Sequence, residues 1–286
     1  MVGSIGWIGY MASLGCWRSG RSAGSFFIVV LMSAHHAAAE NDSQKTSTGW
    51  VITIGGSTEY GPSYPGADRG SLGFIPSFDI RRMDEPADYS APDDNIDYTL
   101  LEFSGVEFGP VAGFRPGRST SDDRRLSGLQ KVDWAIDAGA FLQYWPVEDK
   151  VRLRVETRQA LWGGEGLLAD FAADWFLPVT DKLVLSAGGR ASVANGAYMN
   201  TNFSVTPAES AANGRVDAFD ADGGLKSLGV AVAATYNISQ VWSAQVYYKY
   251  DRLLNDAADS PITSVLGSPD QSIIGVSLTR SFEISF

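Results

Sequence analysis

The stretch IGVSLTRSFEISF, residues 274–286, decides the fold. Apolar side chains occupy every second position, interrupted only by Arg280, and small or polar residues stand between them. Because successive side chains of a β-strand point to opposite faces, this alternation predicts a strand with one apolar and one polar face. A strand that crosses a membrane in a β-barrel turns its apolar face to lipid and its polar face to the lumen.

The same alternation recurs from Trp50 onward, in segments separated by clusters of Gly, Pro, Asp, Asn and Ser. The predicted strands lie near residues 50–60, 72–82, 99–115, 132–145, 150–162, 167–177, 182–193, 225–238, 241–254 and 272–286. Two more strands follow if 84–97 or 198–215 contains a hairpin. The sequence therefore predicts about ten to twelve strands, with no internal repeat, second domain or soluble plug.

The connections between these strands alternate in length. Short ones at 146–149, 178–181 and 239–241 alternate with long polar ones near 116–131, 194–224 and 255–271. Backbone groups in hydrocarbon have no water to bind, so strands span a membrane only when every one is paired. The predicted fold class is all-β: a closed antiparallel transmembrane β-barrel with short periplasmic turns and long extracellular loops. Aromatic residues near strand ends are expected to form belts at the two membrane surfaces: Trp145, Trp162, Trp175, Tyr236 and Trp242.

The first 39 residues differ in composition from the rest of the chain. Arg18 and Arg21 precede a short apolar run at 26–32, and three alanines end at Ala39. This order predicts a secretory signal peptide cleaved after Ala39. The apolar run is about half of the roughly 20 residues that a transmembrane helix needs. The predicted organisation, in a Gram-negative outer membrane, is a signal peptide over 1–39, a flexible lead over 40–48 and a barrel over 49–286.

Composition excludes most enzyme chemistry from the mature chain. The only cysteine, Cys16, and the only histidines, His35 and His36, lie in the predicted signal peptide. Without these residue types there is no thiol nucleophile, imidazole base or His-rich zinc site, so no catalytic, cofactor or metal site is predicted; only carboxylate chemistry such as glycoside hydrolysis stays open. Removing Arg18 and Arg21 leaves 20 basic residues against 33 acidic ones, a net charge of 20 − 33 = −13. Nucleic acid is therefore not expected as a partner.

Two groups of charged residues suggest roles for the lumen and for a loop. Arg152, Arg154, Glu156 and Arg158 share one face of a predicted strand, which is expected to point into the lumen. With Arg190 they face three acids, Asp137, Asp170 and Asp174. They form either a selectivity lining or a set of ion pairs, and a mostly blocked lumen is expected because so small a barrel is narrow. The acidic run at 84–97 either binds divalent cations at the lipopolysaccharide surface or keeps a loop soluble, and the solvated loop is favoured.

A more specific pattern fills the last hundred residues. It comprises Tyr198-Met199, FSVTP at 203–207, GGLK at 223–226, Trp242, RLLNDAADSPI at 252–262, Gly267-Ser268 and Gln271. In these residues the chain resembles the MipA/OmpV family of outer-membrane proteins. Ser204 and Asn255 stand where the family usually has glycine, Arg280 stands where an aromatic residue is common, and residues 283–286 extend past the usual terminal phenylalanine, here Phe282.

The resemblance implies a non-enzymatic scaffold that bridges a lytic transglycosylase and a murein synthase. It assigns a structural or partner-binding role to the motif residues Tyr198, Met199, Phe203, Arg252, Leu253, Asp256, Ser260 and Pro261. Phe282 or Phe286 is the expected signal to the barrel assembly machinery, and lipid and lipopolysaccharide are the expected surroundings. Two alternatives stay open: a passive small-solute channel, and a surface adhesion or envelope-stress protein that acts through its extracellular loops.

Overall fold

The computed structural model describes residues 49–85, 87 and 89–285. The predicted signal peptide with its cleavage site at Ala39, the lead over 40–48 and Phe286 lie outside the described residues. The described part is one unit by its internal contacts.

Twelve antiparallel strands form a single sheet that curls into a nearly closed barrel. They are β1 (Gly49–Pro62), β2 (Gly70–Arg82), β3 (Ile96–Asp97), β4 (Leu101–Phe103), β5 (Val106–Arg115), β6 (Ala135–Val147), β7 (Val151–Trp162), β8 (Leu167–Thr180), β9 (Leu183–Ala194), β10 (Gly224–Asn237), β11 (Trp242–Leu253) and β12 (Asp270–Ser285). The predicted antiparallel barrel of about ten to twelve strands is thereby confirmed.

Short helices occur in the long connections. They are a 3₁₀ turn (Arg124–Leu126), α1 (Gly196–Phe203), α2 (Pro207–Asn213), α3 (Asn255–Asp259) and α4 (Pro261–Ser264). The predicted possibility of a strand hairpin over 198–215 is wrong, because Asn195 and Thr206 cap α1 and α2 through their side chains and the first residues of α2 are Pro-Ala-Glu. None of the helices in the described part of the chain is long and apolar enough to span a membrane.

The hydrogen-bonded ladder runs almost completely around the wall. Its order is β2-β1-β12-β11-β10-β9-β8-β7-β6-β5-β3, with β4 also paired to β5. β1 and β12 pair from Gly49 opposite Ser285 to Tyr60 opposite Ile274, so the first and last strands meet at the short-turn end. The place where the described residues show no ladder is between β2 and the strands β3 and β4. We call this place the seam.

The single strand expected at 99–115 is wrong in detail. The chain reverses at Ser104 and Gly105, whose φ angles are 52° and 73°, and β4 pairs back onto β5. Two consecutive residues with positive φ form the tight turn that fits a hairpin. The alternation of apolar residues continues on both sides of this turn, which hides it from a periodicity argument.

The two faces of the wall have the predicted characters. Exposed apolar side chains point outward along the strands, for example Ile54, Leu228, Val246 and Ile274. Trp162, Trp175, Tyr236 and Trp242 are exposed on this outer face near strand ends, whereas Trp145 turns inward and donates its indole N–H to Glu107 at 2.9 Å. The place predicted for Trp145 in the outer belt is therefore wrong.

Arg280, the one charge on the apolar face of β12, lies near the short-turn end. Its guanidinium stands over the rings of Trp242 and Phe282, at 5.4 and 4.7 Å from their centroids. A long cationic side chain at this level reaches the membrane surface while its stem stays in apolar contact.

Candidate functional site

The lumen side of β7 carries a network of buried ion pairs. Arg152, 2% exposed, binds Asp94 through both terminal nitrogens at 2.7 and 2.9 Å. It also donates to Asp174 of β8 at 2.9 Å. On its other side Asp174 meets Arg190 of β9 at 2.8 Å, and Arg190 binds Asp93 at 2.8 and 2.9 Å. Two arginines thus share one acid from the wall and each takes a second acid from a separate segment.

The same network continues along β7. Arg154 donates to Glu156 at 2.9 and 2.7 Å, to Gln143 at 2.7 Å and to Asp97. Arg158 binds Asp170 and approaches the other oxygen of Glu156 at 3.4 Å. Toward the long loops, Arg115 pairs with Asp137 at 2.7 Å, and Asp137 has no exposed surface.

Gly188 of β9 makes the shared pair possible. A Cβ atom at this position would stand 2.2 Å from Oδ1 of Asp174 and 2.7 Å from Nη1 of Arg190. Any other residue would force the two charged groups apart, because both distances are well below van der Waals contact.

Residues 89–97 fold into the lumen, against the expectation of a solvated loop or a surface cation site. Tyr89 stacks on Phe176, a lumen-facing residue of β8, with 5.5 Å between ring centroids. Beyond it Asp93, Asp94 and Asp97 bind arginines of the wall. Buried arginines need carboxylate partners, and this segment supplies three of them. The segment occupies part of the lumen without filling it; we call residues 89–97 the inner segment.

The network has an excess of acid. Five arginines, at positions 115, 152, 154, 158 and 190, are paired with seven acids, at positions 93, 94, 97, 137, 156, 170 and 174, so its charge is 5 − 7 = −2. The arginines are neutralised by their partners rather than free to attract anions. Among the described residues, no group of three or more His, Cys, Asp or Glu side chains is placed to hold a metal ion.

The opposite half of the lumen remains open. Ser and Thr side chains of β1, β11 and β12 line it, among them Thr53, Ser243, Ser277 and Thr279. A cavity of about 2760 Å³ extends from the short turns, where Asp149 and Gln240 line it, to the underside of α1. The lumen is thus less filled than the predicted mostly blocked lumen, since the ion pairs lie on the β5–β9 side.

Four long connections pack together across the other end of the barrel, and we call them the cap. They are residues 63–69, 116–134, 195–223 and 254–269. One apolar cluster joins Tyr198, Met199 and Phe203 to Leu253 and Ala257. The second cluster joins all four connections through Tyr64, Ala67, Leu126, Val205, Val216, Ile262 and Leu266. Isolated bridges between Ala67 and Gly267 and between Val205 and Phe219 tie the backbones.

A comparison with protein-family models decides the family. The model described as MltA-interacting protein MipA matches residues 54–282. The chain belongs to the MipA family. Its membership of this family and the apolar outer face of its strands identify the chain as an outer-membrane β-barrel.

Several solved structures are similar at a low level. OmpT, an outer membrane protein of Vibrio cholerae, is 8% identical over 84% of this chain and 99% of its own, with a TM-score of 0.35. The outer membrane channel DcaP of Acinetobacter baumannii is 11% identical over 82% and 96%, with a TM-score of 0.32. The N-terminal β-barrel domain of Pseudomonas aeruginosa OprF is 12% identical over 62% and 96%, with a TM-score of 0.30. A comparison with curated proteins found no match.

The eight motif residues to which the resemblance assigns a structural or partner-binding role lie in or beside the cap, whereas Trp242 lies at the short-turn end. Tyr198, Met199, Phe203, Leu253, Ser260 and Pro261 are all buried in or beside the cap. Asp256 accepts the backbone N–H of Asp222 at 2.7 Å and so joins two connections. Arg252 is exposed and pairs with Asp270 at 2.7 Å. Most of these residues pack the cap. Arg252 is the exposed charged residue among them.

Two departures from the usual MipA residues have local explanations. Asn255 has a φ of 49°, a left-handed conformation that favours glycine and that asparagine tolerates better than most residues. Ser204 has an ordinary φ of −76° and uses its hydroxyl to accept the backbone N–H of Ala221 at 2.8 Å. The first position keeps the conformation for which glycine is suited, whereas the second gains a hydrogen bond.

Charges inside the cap are paired or hydrogen-bonded. Burial lowers the pKa of Arg118 to about 10, and its guanidinium donates to the carbonyl of Asn202. Burial alone would raise the pKa of Asp123, but hydrogen bonds from the backbone and side chain of Arg125 outweigh it and hold that pKa below its usual range. Asp123 therefore stabilises the cap above the pKa of an unfolded Asp, about 4, and this contribution falls away as the pH drops through its lower folded pKa.

Replacing Ser260 with alanine is expected to loosen the cap. The hydroxyl of Ser260 donates to the carbonyl of Phe203 at 2.5 Å in a fully buried place, and its loss leaves that carbonyl unsatisfied. Such a loss costs about 1–3 kcal/mol, so protease added to intact cells should cleave the cap connections roughly five times faster or more. Ser264→Ala, an exposed position on α4, serves as the control; equal cleavage of both variants would contradict the assignment.

Sequence reasoning finds the wall arginines but misses their partners in the inner segment and the role of Glu107. One signal was present in the sequence. The acidic run nearest to the inward arginines contains Pro86 and Pro92, which rule it out as a regular strand. An acid-rich segment that is no strand and is joined directly to a barrel strand is a natural source of further carboxylates for arginines in the lumen.

Proposed function

We propose that this chain is a non-enzymatic outer-membrane scaffold that binds a murein-degrading lytic transglycosylase, and with it a murein synthase, at its periplasmic end. The description of the family as MltA-interacting supports the class of partner. The chain after residue 39 lacks cysteine and histidine, which supports a binding role over catalysis.

One observation carries the place of binding. The long connections pack against one another in the cap, and most of their family-specific residues are buried there. The opposite end presents short turns with exposed charged side chains, among them Glu148, Asp149, Lys150, Asp181 and Lys182. These turns project from rigid strand ends, so a partner binds them without first ordering a loop. Outer-membrane barrels turn such ends to the periplasm, where murein and its enzymes lie.

Crosslinking in cells tests this proposal. A photoreactive amino acid is placed at Asp149, Asp181 or Gln240 in the short turns, and at Asp220, an exposed position of the cap, as the control. Capture of a lytic transglycosylase or a murein synthase from the turns but not from Asp220 is the expected result. Capture of these enzymes from Asp220 alone, or from no position, would refute the proposed place of binding.

A second candidate function is passive diffusion of small cations, and the cavity of about 2760 Å³ favours it. The network that lines it carries a charge of −2, so a conducting lumen is expected to prefer cations. In planar bilayers the scaffold proposal expects no steady conductance from the intact barrel. Steady current with a reversal potential on the cation side would support the channel instead.

A further inference from the structure

The seam leaves two strand edges without partners in the membrane. β2 pairs with β1 only, and β3 and β4 pair with β5 only; the described residues show no ladder between the two sides. Backbone N–H and C=O groups that face hydrocarbon without a partner are costly. Something other than a wall strand must therefore occupy this place.

The sequence prevents the chain from closing the seam itself. Residues 83–95 join β2 to β3 and are long enough to cross the membrane as a strand, which takes about 9–11 residues. However, Pro86 and Pro92 lack the N–H that a ladder needs, and Asp93 and Asp94 are held inside by Arg190 and Arg152. Pro76, in the middle of β2, likewise marks an edge strand that discourages strand addition from another chain.

The lumen cavity passes through the wall at the seam. On β12, where the wall is closed, the lining residues alternate along the strand: Ser277, Thr279, Ser281 and Glu283. Within the other strands of the closed wall, an outward residue such as Phe171 of β8 lines the cavity in a run of no more than five residues. On β2 every residue from 74 to 81 lines it, including the outward Phe74 and Phe78 as well as the inward Ser77 and Asp79. On the other edge, every residue from 95 to 100 does the same. The cavity is therefore continuous with the membrane here.

The mouth of this opening is apolar. Phe74 is 71% exposed and Leu100 is 60% exposed, and both continue the lipid-facing belt of the barrel. Inside the mouth, the inward Ile75 is 40% exposed, and an added Cβ atom at Gly73 would meet nothing within 4 Å. A flexible hydrocarbon chain fits an opening with apolar edges and free space behind them.

We propose that the seam is a lateral portal that admits the acyl chain of an outer-membrane phospholipid into the lumen. The phospholipid is the occupant because the portal opens from the lipid-facing belt and both of its edges carry proline or charge that disfavours a protein strand. The headgroup stays at the membrane surface while the chain covers the apolar mouth. This proposal is independent of partner binding at the short turns.

Fluorescence quenching by brominated lipid tests the portal. Because the described barrel contains no cysteine, single cysteines can be labelled with bimane: Ser77→Cys at the portal, Thr279→Cys on the closed wall and Ile54→Cys on the lipid face. The three lie at the same level, since Ser77 is opposite Gly55 and Gly55 is opposite Thr279. The labelled barrels are reconstituted in phosphatidylcholine with or without bromine on the acyl chains.

Bimane at position 77 is expected to be quenched to a degree close to that at position 54, and bimane at 279 hardly at all. Quenching at 77 no greater than at 279 would overturn the portal, because it would place the label out of reach of acyl chains. Should Ser77→Cys fail to give the folded barrel, Asp79→Cys and its matched control Ser281→Cys give the same comparison. These two positions lie at one level, because Thr53 is opposite Asp79 on one side and opposite Ser281 on the other.

Discussion

Replacing Arg152 with alanine is expected to lower the free energy of unfolding by about 3–5 kcal/mol. The side chain is 2% exposed and is the direct partner of both Asp94 and Asp174. Its removal leaves Asp94 without its arginine, with only the backbone N–H of Ala91 as a hydrogen-bond donor, and leaves Asp174 to Arg190 alone. The measurement is urea-induced unfolding of the barrel from lipid vesicles.

Arg252→Ala is the matched control for this prediction. Arg252 also binds an acid at 2.7 Å, but both side chains are about half exposed, at 55% and 46%. An exposed pair contributes about 1 kcal/mol or less, so this variant should unfold close to the wild type. A loss below about 1 kcal/mol for Arg152→Ala would mean that the inner segment is not held by the wall arginines.

Replacing residues 255–268 with a short Gly-Ser connection is expected to give the barrel a steady cation-preferring conductance. The change removes Ala257, Ile262 and Leu266, which belong to both apolar clusters of the cap, together with the hydroxyl of Ser260 that holds Phe203. Without them the cap no longer covers the cavity that reaches the short turns. Single-channel recording in planar bilayers measures the effect.

The control for this experiment keeps the connection and changes its surface. Ser264 and Val265 lie in the same connection and are exposed, so Ser264→Ala with Val265→Ala should leave the conductance of the intact barrel unchanged. A shortened variant that conducts no better than the intact barrel would show that the cap is not the barrier.

Alternation with a period of two predicts the long strands well because each one separates lipid from a polar lumen. It predicts the inward direction of Arg152, Arg154 and Arg158 for the same reason. The parity of a residue within its strand fixes its face, and no longer-range information is needed. The wall and its inward charges are thus local properties of the sequence.

Partners across the lumen are not local in this sense. Asp93 meets Arg190 at a separation of 97 residues, and nothing near Asp93 indicates that meeting. The prediction for Trp145 is wrong for the same reason. An aromatic residue at a strand end suits a membrane belt, and only the contact with Glu107 on another strand shows that this side chain points inward. The hairpin at Ser104 and Gly105 depends on two backbone angles rather than on polarity.

The binding of a purified MltA-type lytic transglycosylase to the barrel in lipid nanodiscs tests the central claim most directly. Glu148→Gln, Asp149→Asn and Asp181→Asn together remove three exposed charges from the short turns, and Asp217→Asn with Asp220→Asn removes two from the cap. We expect the turn variant to bind roughly ten times more weakly than the wild type, and the cap variant to bind as the wild type does. Binding lost in the cap variant and kept in the turn variant would contradict the account.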